Sequence, residues 1–345
     1  METRVCRLHS EHDLRLETLP LAEPERGEVR VRMGAGGICG SDLHYFHDGG
    51  FGPIRVKEPI ILGHEVAGTV EVLGEGVTGL AIGDKVALNP SRPCGECRYC
   101  AEGHFNHCLN MRFLGSAMRL PHEQGGFREH MVVSASQCEL LSQETSLTRG
   151  ACAEPLAVCL HAANRAGDLS GRRVLVTGAG PIGALCAAVA RHRGAAEVVV
   201  TDLHDTPLSV ARAMGASQTI NTAEQSDVLD AYGKDKGTFD VAFECSAAAP
   251  ALASAIATVR PLGRIVQVGV TGDMSVPINA VVGKEIDLVG THRFHAEFAD
   301  AAKLIDTQAI DVAPMITHQL PLDSFSEAFQ LAGDRTQAVK AQLLF

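Results

Sequence analysis

Residues 172–202 read "RRVLVTGAGPIGALCAAVARHRGAAEVVVTD". A Val-rich apolar run passes into a turn with three glycines, then an Ala-rich segment, then a second Val run ending in Asp202. That order predicts strand, turn, helix, strand, the βαβ unit of a parallel sheet. Gly178, Gly180 and Gly183 form G-x-G-x-x-G, with Pro181 and Ile182 between the last two. The pattern alone is weak, but after a strand and before a helix each glycine has a task. The first admits the tight turn, the second lets the backbone approach a pyrophosphate, and the third allows close helix packing. The helix N-terminus adds N–H donors and a positive dipole end. Asp202, nineteen residues beyond Gly183, stands where a carboxylate accepts hydrogen bonds from an adenosine ribose diol. Its charge would repel a 2′-phosphate, so NAD is expected in preference to NADP.

Further buried strands are expected at "FDVAFEC", "GRIVQVGV" and "EIDLVGTH", with helical "APALASAIATV" between the first two. Residues 152–294 therefore read as a doubly wound parallel sheet, a Rossmann cofactor domain. Residues 1–151 have a different texture. Gly, Pro and short β-branched runs such as "GEVRVRM", "VAGTVEVLG" and "GDKVALN" predict a mostly-β domain of short strands and turns. The tail, 295–345, carries helical "AEFADAAKLID" and "FSEAFQLAG" and a last strand, "KAQLLF". The expected architecture is α/β, with a mostly-β part beside the Rossmann sheet.

A chain of 345 residues is long enough for about two globular domains. Lys and Arg total 30 against 41 Asp and Glu, a net charge of −11 without a basic run, which argues against nucleic acid and anionic membranes as partners. No stretch approaches the ~18 uninterrupted apolar residues of a membrane span, and the N-terminus lacks the form of a signal peptide. A cytoplasmic protein is expected. The eleven cysteines are odd in number, and Cys159, Cys186 and Cys245 lie in apolar runs; a disulfide framework is not expected.

Two constellations suggest metal. In "CGECRYCAEGHFNHC", residues 94–108, Cys94, Cys97, Cys100 and Cys108 are spaced C-x2-C-x2-C-x7-C. Four thiolates close a tetrahedron around zinc and leave no open position, the mark of a structural site. Bacterial ferredoxins begin with the same spacing but continue x3-C-P, so zinc is favoured over an iron–sulfur cluster. The second set is scattered over "GGICGSDLHY" (36–45), "LGHEVAG" (62–68) and "CAEPLAV" (152–158). Cys39, His64 and a carboxylate would make a mixed set with room for substrate, as a catalytic zinc requires. Each fragment alone is ambiguous, since Cys39 also suits a small buried apolar position.

Taken in order, "GICGSD", "GHE", the four-cysteine loop, "EPLAV" and "GAGPIG" with Asp202 resemble the zinc-dependent medium-chain alcohol dehydrogenase family over essentially the whole chain. Glu154, where other members carry a cysteine ligand, places the resemblance in the polyol dehydrogenase branch. The stretch "MRFLGSAMRLPHEQGGF" (111–127) is similar to members that act on a sugar acid.

The resemblance implies a GroES-like catalytic domain formed by 1–151 and 295–345 beside the Rossmann domain of 152–294, two zinc ions per chain and NAD(P)-linked oxidation of a secondary alcohol. It implies Cys39 and His64 as ligands of the catalytic zinc, with Glu65 or Glu154, and Asp42 as the carboxylate orienting a ligand histidine. Ser41 and His44 would relay the alcohol proton to solvent, Val268 and Arg293 would lie along the cofactor, and Tyr45 would face substrate. A sugar acid also needs a cation, for which Arg112, Arg119, His122 and Arg293 are the candidates, because a guanidinium fork binds both carboxylate oxygens. A neutral polyol and, more distantly, L-threonine are the alternative substrates. The family also implies a homo-oligomer, a dimer or tetramer.

Overall fold

The computed structural model of the chain describes every residue except Thr271 and, at Ser226, the side chain. Two sheets organise it. The first strand of the glycine motif, Arg173–Thr177, lies in the middle of a six-stranded parallel sheet, flanked by Glu197–Asp202 and Phe239–Glu244. Gln218–Asn221 closes one edge; Val259–Gln267 and Asp287–Gly290 complete the other. Strand order therefore reverses at the glycine turn, the switch point at which doubly wound sheets bind nucleotides. Val174, Leu175 and Val176 are fully buried, as a strand covered by helices on both faces demands.

The second sheet has seven strands and carries the metal-ligand motifs. Its path runs Cys138–Leu141, Lys85–Leu88, Glu65–Leu73, Glu28–Gly37, Lys340–Leu344 and Ile316–Pro321, and His130–Ser134 also pairs with Glu28–Gly37. The last strand, Lys340–Leu344, pairs with Glu28–Gly37 at Gly36 and Gly37, so the C-terminus sits beside the start of "GICGSD". Between the two sheets opens a cleft of about 540 Å³, lined from one side by Cys39, Ser41, His44 and Glu65 and from the other by Gly178, Gly183 and Asp202. Among the described residues no helix is long and apolar enough to cross a membrane.

The helix Glu297–Asp306 buries Phe298, Ala301, Ala302 and Ile305 in the same core as the helix Ala153–Ala166. Glu297 fastens the contact: its carboxylate is 2.9 Å from His161 Nδ1 and accepts from Asn164 Nδ2 at 2.9 Å and from the His295 amide at 2.9 Å. Burial pulls this carboxyl upward, but the hydrogen bonds outweigh it and bring the pKa to about 2. A folded pKa below the unfolded one stabilises the protein above the ordinary carboxylate range, and that stabilisation is lost as pH falls toward 2. Glu297→Gln should therefore flatten the acid limb of stability between the ordinary value of 4.5 and about 2. Urea titrations over that range check it, and equal acid losses in both proteins would contradict it.

Candidate active site and metal centres

Cys39 follows the strand Glu28–Gly37 and caps the helix Gly40–Asp48. His64 and Glu65 enter the next strand after Gly63, whose φ of 93° a side chain would strain. One donor atom each from Cys39, His64 and Glu65 lies within 4.8 Å of the other two. The approach depends on Gly37, where a Cβ would sit 2.2 Å from Glu65 Oε2. Asp42, fully buried, ties the two loops together: Oδ2 accepts from the Cys39 amide at 2.9 Å and Oδ1 from the Gly63 amide at 3.2 Å. Its Oδ1 also stands 3.8 Å from His64 Nδ1, too far for a hydrogen bond but close enough to bias the ring electrostatically. Burial pushes the Asp42 carboxyl up, against the pull of His64 and the two amides.

Glu154 lies in the first turn of the helix Ala153–Ala166, buried. Burial drives its pKa to about 8; His64 opposes the rise, while Glu65 and Cys39 add to it. Glu65 has a different environment. Lys340 Nζ donates to both of its oxygens, at 2.8 and 2.7 Å, and to the Ile38 carbonyl at 3.1 Å. Both side chains are 2% exposed. Lys340 was absent from the expectations drawn from sequence; its signal was a lone lysine opening the otherwise apolar strand "KAQLLF". Lys340→Met should cost about 3–5 kcal/mol of stability, because Glu65 is left as an uncompensated buried charge. Urea unfolding of the metal-free protein at neutral pH reads it; a loss under about 1 kcal/mol would mean that Lys340 is not what neutralises Glu65 there.

In the other cluster, the sulfurs of Cys94, Cys97, Cys100 and Cys108 all lie within 4.8 Å of one another. The Sγ–Sγ separations are 3.5 Å for Cys94 and Cys108, 3.6 Å for Cys97 and Cys100 and 4.0 Å for Cys97 and Cys108. A zinc tetrahedron with Zn–S bonds of about 2.3 Å has edges near 3.8 Å, so one ion fits the cage. Amides stabilise the thiolates: Cys94 N donates to Cys108 Sγ at 3.1 Å and Leu109 N to Cys97 Sγ at 3.5 Å. Backbone hydrogen bonds at Cys100 and Leu109 lower the Cys97 thiol to about 6. All eleven cysteines are free, in line with the absence of a disulfide framework.

The glycine turn has the conformation that its motif requires. Gly178 has φ 84°, and a Cβ on Gly183 would lie 1.7 Å from the Gly178 carbonyl, so only glycine lets the helix Pro181–His192 start so close to the strand. Asp202 ends its strand and accepts from the amides of Ala179 at 2.7 Å, Leu203 at 2.7 Å and His204 at 3.0 Å.

Known proteins share this arrangement. Residues 25–143 match the alcohol dehydrogenase GroES-like domain and residues 181–307 the zinc-binding dehydrogenase domain. The chain is 42% identical over 316 residues to L-idonate 5-dehydrogenase (NAD(P)(+)) of Escherichia coli, covering 91% of each. It is 36% identical over 328 residues to human sorbitol dehydrogenase, covering 94% of this chain and 90% of that one. The crystal structure of the Escherichia coli L-idonate 5-dehydrogenase superposes with a TM-score of 0.94 at 39% identity, covering 100% of this chain and 99% of that one. The chain belongs to the zinc-dependent medium-chain dehydrogenases.

In this dehydrogenase Ser41, His44, Gly180, Pro181, Ile182 and Val268 line the cleft with Cys39 and Glu65. His44 is exposed and 2.9 Å from Asp48 through Nδ1. Tyr45 is buried and its hydroxyl accepts from the Ala117 amide at 3.3 Å. Arg293, with φ 52°, stacks its guanidinium 4.1 Å over the Phe113 ring, which in turn packs against His64. Burial lowers the Arg293 pKa, while Glu154 and Tyr45 pull it back up. Glu154 and Tyr45 are therefore its nearby charged and polar groups.

The structure does not bring Arg112 or Arg119 to the cleft. Arg112 pairs with Glu123 at 2.7 Å, and Arg92 shares that carboxylate. Arg119 donates to the carbonyls of Leu109 and Met111, bracing the four-cysteine loop. His122 is likewise engaged: Nε2 accepts from the Lys57 amide at 2.9 Å and Nδ1 lies 2.7 Å from the Arg119 carbonyl. The stretch 111–127 contributes Phe113 and Ala117 instead, because its charged side chains turn to nearer partners. Arg335 was also missed from sequence; its guanidinium lines the cleft beside the glycine turn, 3.2 Å from where a Gly180 Cβ would project.

Proposed function

We propose that the enzyme oxidises the C5 hydroxyl of L-idonate to 5-keto-D-gluconate with NAD, and catalyses the reverse reduction. The observation that carries this reading is Arg293, a partly buried cation stacked on Phe113, whose ring packs against His64, with no carboxylate within salt-bridge distance among the described residues. A substrate carboxylate supplies the missing partner, and the similarity to L-idonate 5-dehydrogenase names a sugar acid that has one.

Cys39, His64 and Glu65 would hold the catalytic zinc, with Glu154 alongside, and the four cysteines the structural one. When bound, zinc supplies Lewis acidity that makes a secondary hydroxyl easier to deprotonate, and the nicotinamide accepts hydride. The chain's own residues do the rest. Ser41 receives the hydroxyl proton and His44, exposed at the rim, passes it to water. Asp42 keeps the two ligand loops in register, and Arg293 and Tyr45 orient the sugar acid. Asp202 would accept from the adenosine ribose diol and disfavour a 2′-phosphate, and Arg335, in the cleft beside Gly180, would offer a cation to the pyrophosphate.

Residues 1–151 with 295–345 would form the metal half and 152–294 the cofactor half. A cytoplasmic homo-oligomer fits the unbridged cysteines and the open edge of the parallel sheet, where Asp287–Gly290 has Leu288, Val282 and Ile278 exposed nearby. The test is kcat/KM with NAD for L-idonate, sorbitol, xylitol and L-threonine. L-Idonate should rank first; faster turnover of sorbitol or xylitol would make the enzyme a neutral polyol dehydrogenase.

A further inference from the structure

Three thiols with no part in hydride transfer meet beneath the floor of the nucleotide cleft. Cys186 lies on the helix Pro181–His192, Cys245 follows the strand Phe239–Glu244, and Cys159 lies on the helix Ala153–Ala166. Cys186 Sγ is 3.9 Å from Cys245 Sγ and also faces Cys159, whose thiol donates to the Ile182 carbonyl at 3.4 Å. They differ in access. Cys159 and Cys186 are buried, whereas Cys245 is partly exposed and lines the cleft beside Gly178 and Ser246. An accessible sulfur backed by a buried one is the arrangement of an attacked cysteine and its resolving partner.

We propose that Cys245 and Cys186 form a redox-modification site, in which a hydroperoxide entering the empty cofactor cleft joins them as a disulfide that weakens nucleotide binding, while bound cofactor shields them. In the first step the Cys245 thiol passes its proton along its hydrogen bond to the Cys186 thiolate, and the Cys245 sulfur takes one oxygen of hydrogen peroxide to become a sulfenic acid; the other oxygen leaves as hydroxide and takes a proton from solvent to become water. In the second, the Cys186 sulfur attacks the Cys245 sulfur. The S–S bond forms, the S–O bond breaks, and the hydroxyl departs with the Cys186 proton as a second water. Two thiols lose two electrons and one peroxide gains them. Contact with Cys159 and the hydrogen bond from Cys245 lower the Cys186 thiol despite its burial, and the same contact raises the Cys245 thiol, so Cys186 is the thiolate of the pair and takes the Cys245 proton.

Closure has a route to the cofactor. The sulfurs must approach from 3.9 Å to about 2.05 Å, which draws Cys245 toward the helix. The Cys245 amide donates to the Thr177 carbonyl at 2.8 Å, and Ser246 packs so tightly that a Cβ on Gly178 would meet it at 2.9 Å. Movement of Cys245 is thus passed directly to the glycine turn. A disulfide that forms and is reduced again also suits a chain that otherwise keeps its cysteines free.

The holoenzyme is treated with hydrogen peroxide, with and without saturating NADH, and digested without reduction for peptide mapping. NADH affinity, from cofactor fluorescence, and zinc content are measured in parallel, because the zinc thiolates also react with peroxide. The expected result is a Cys186–Cys245 linked peptide, zinc retained, and roughly tenfold weaker NADH binding, restored by dithiothreitol. NADH present during treatment should suppress the link, and Cys186→Ala should keep its NADH affinity through the same exposure. No linked peptide, a Cys159–Cys186 link in its place, linkage indifferent to NADH, or an equal loss of affinity in Cys186→Ala would each overturn the proposal.

Discussion

Cys39→Ala is expected to lower turnover by at least about a thousandfold, since loss of the Lewis acid removes several kcal/mol of transition-state stabilisation. The fold should survive. Among the described residues Cys39 is one of three donors drawn within 4.8 Å of one another, so its loss leaves His64 and Glu65 with too few partners to keep a metal, and Lys340 already neutralises Glu65. Its backbone work persists in the variant, because the Cys39 amide still donates to Asp42. Zinc content should fall by half while the circular dichroism spectrum stays that of the parent. Cys97→Ala should behave in the opposite manner. Its sulfur sits in the closed cage and accepts from the Leu109 amide, so its loss releases the loop that Arg119 braces, and stability falls before chemistry does. Equal thermal stability of the two variants would contradict this division of labour.

Arg293→Ala should separate sugar acid from polyol. An ion pair between a guanidinium partly shielded from water and a substrate carboxylate is worth about 2–5 kcal/mol when one partner is truncated, so kcat/KM for L-idonate should drop by roughly 30-fold to several thousandfold. For sorbitol, which brings no charge, the change should be within about tenfold. Arg293→Lys should recover only part of the loss, since an ammonium cannot present the planar fork that binds both oxygens. If idonate and sorbitol lose equally, Arg293 acts on hydroxyls or on the Phe113 ring and the carboxylate lies elsewhere.

Features written in short-range patterns were legible before the structure. The βαβ unit follows from Val runs around a glycine turn, and the four-cysteine cage from its spacing, because both depend on residues close in sequence. The edge strand Gln218–Asn221 was not legible: four residues of mixed polarity carry too little periodicity to register. Lys340 was hidden for another reason, as its partner Glu65 lies 275 residues away and only the pairing of Lys340–Leu344 with Glu28–Gly37 brings them together. Residues 111–127 show the limit in the other direction. Their cations were visible, but which of them faces the cleft depends on Glu123 and on the Leu109 and Met111 carbonyls claiming Arg112 and Arg119 first. Arg293, on the segment that follows the last strand of the parallel sheet, reaches the site because it lies over Phe113.

The most direct test of the whole account is the identity of the product formed from L-idonate and NAD, followed by carbon NMR with NADH counted alongside. The proposed geometry places the carboxylate on Arg293 and the distal hydroxyl at Cys39, His64 and Glu65, so it predicts 5-keto-D-gluconate in amounts equal to NADH. A 2-keto acid, or no NADH from L-idonate while sorbitol is oxidised, would contradict it.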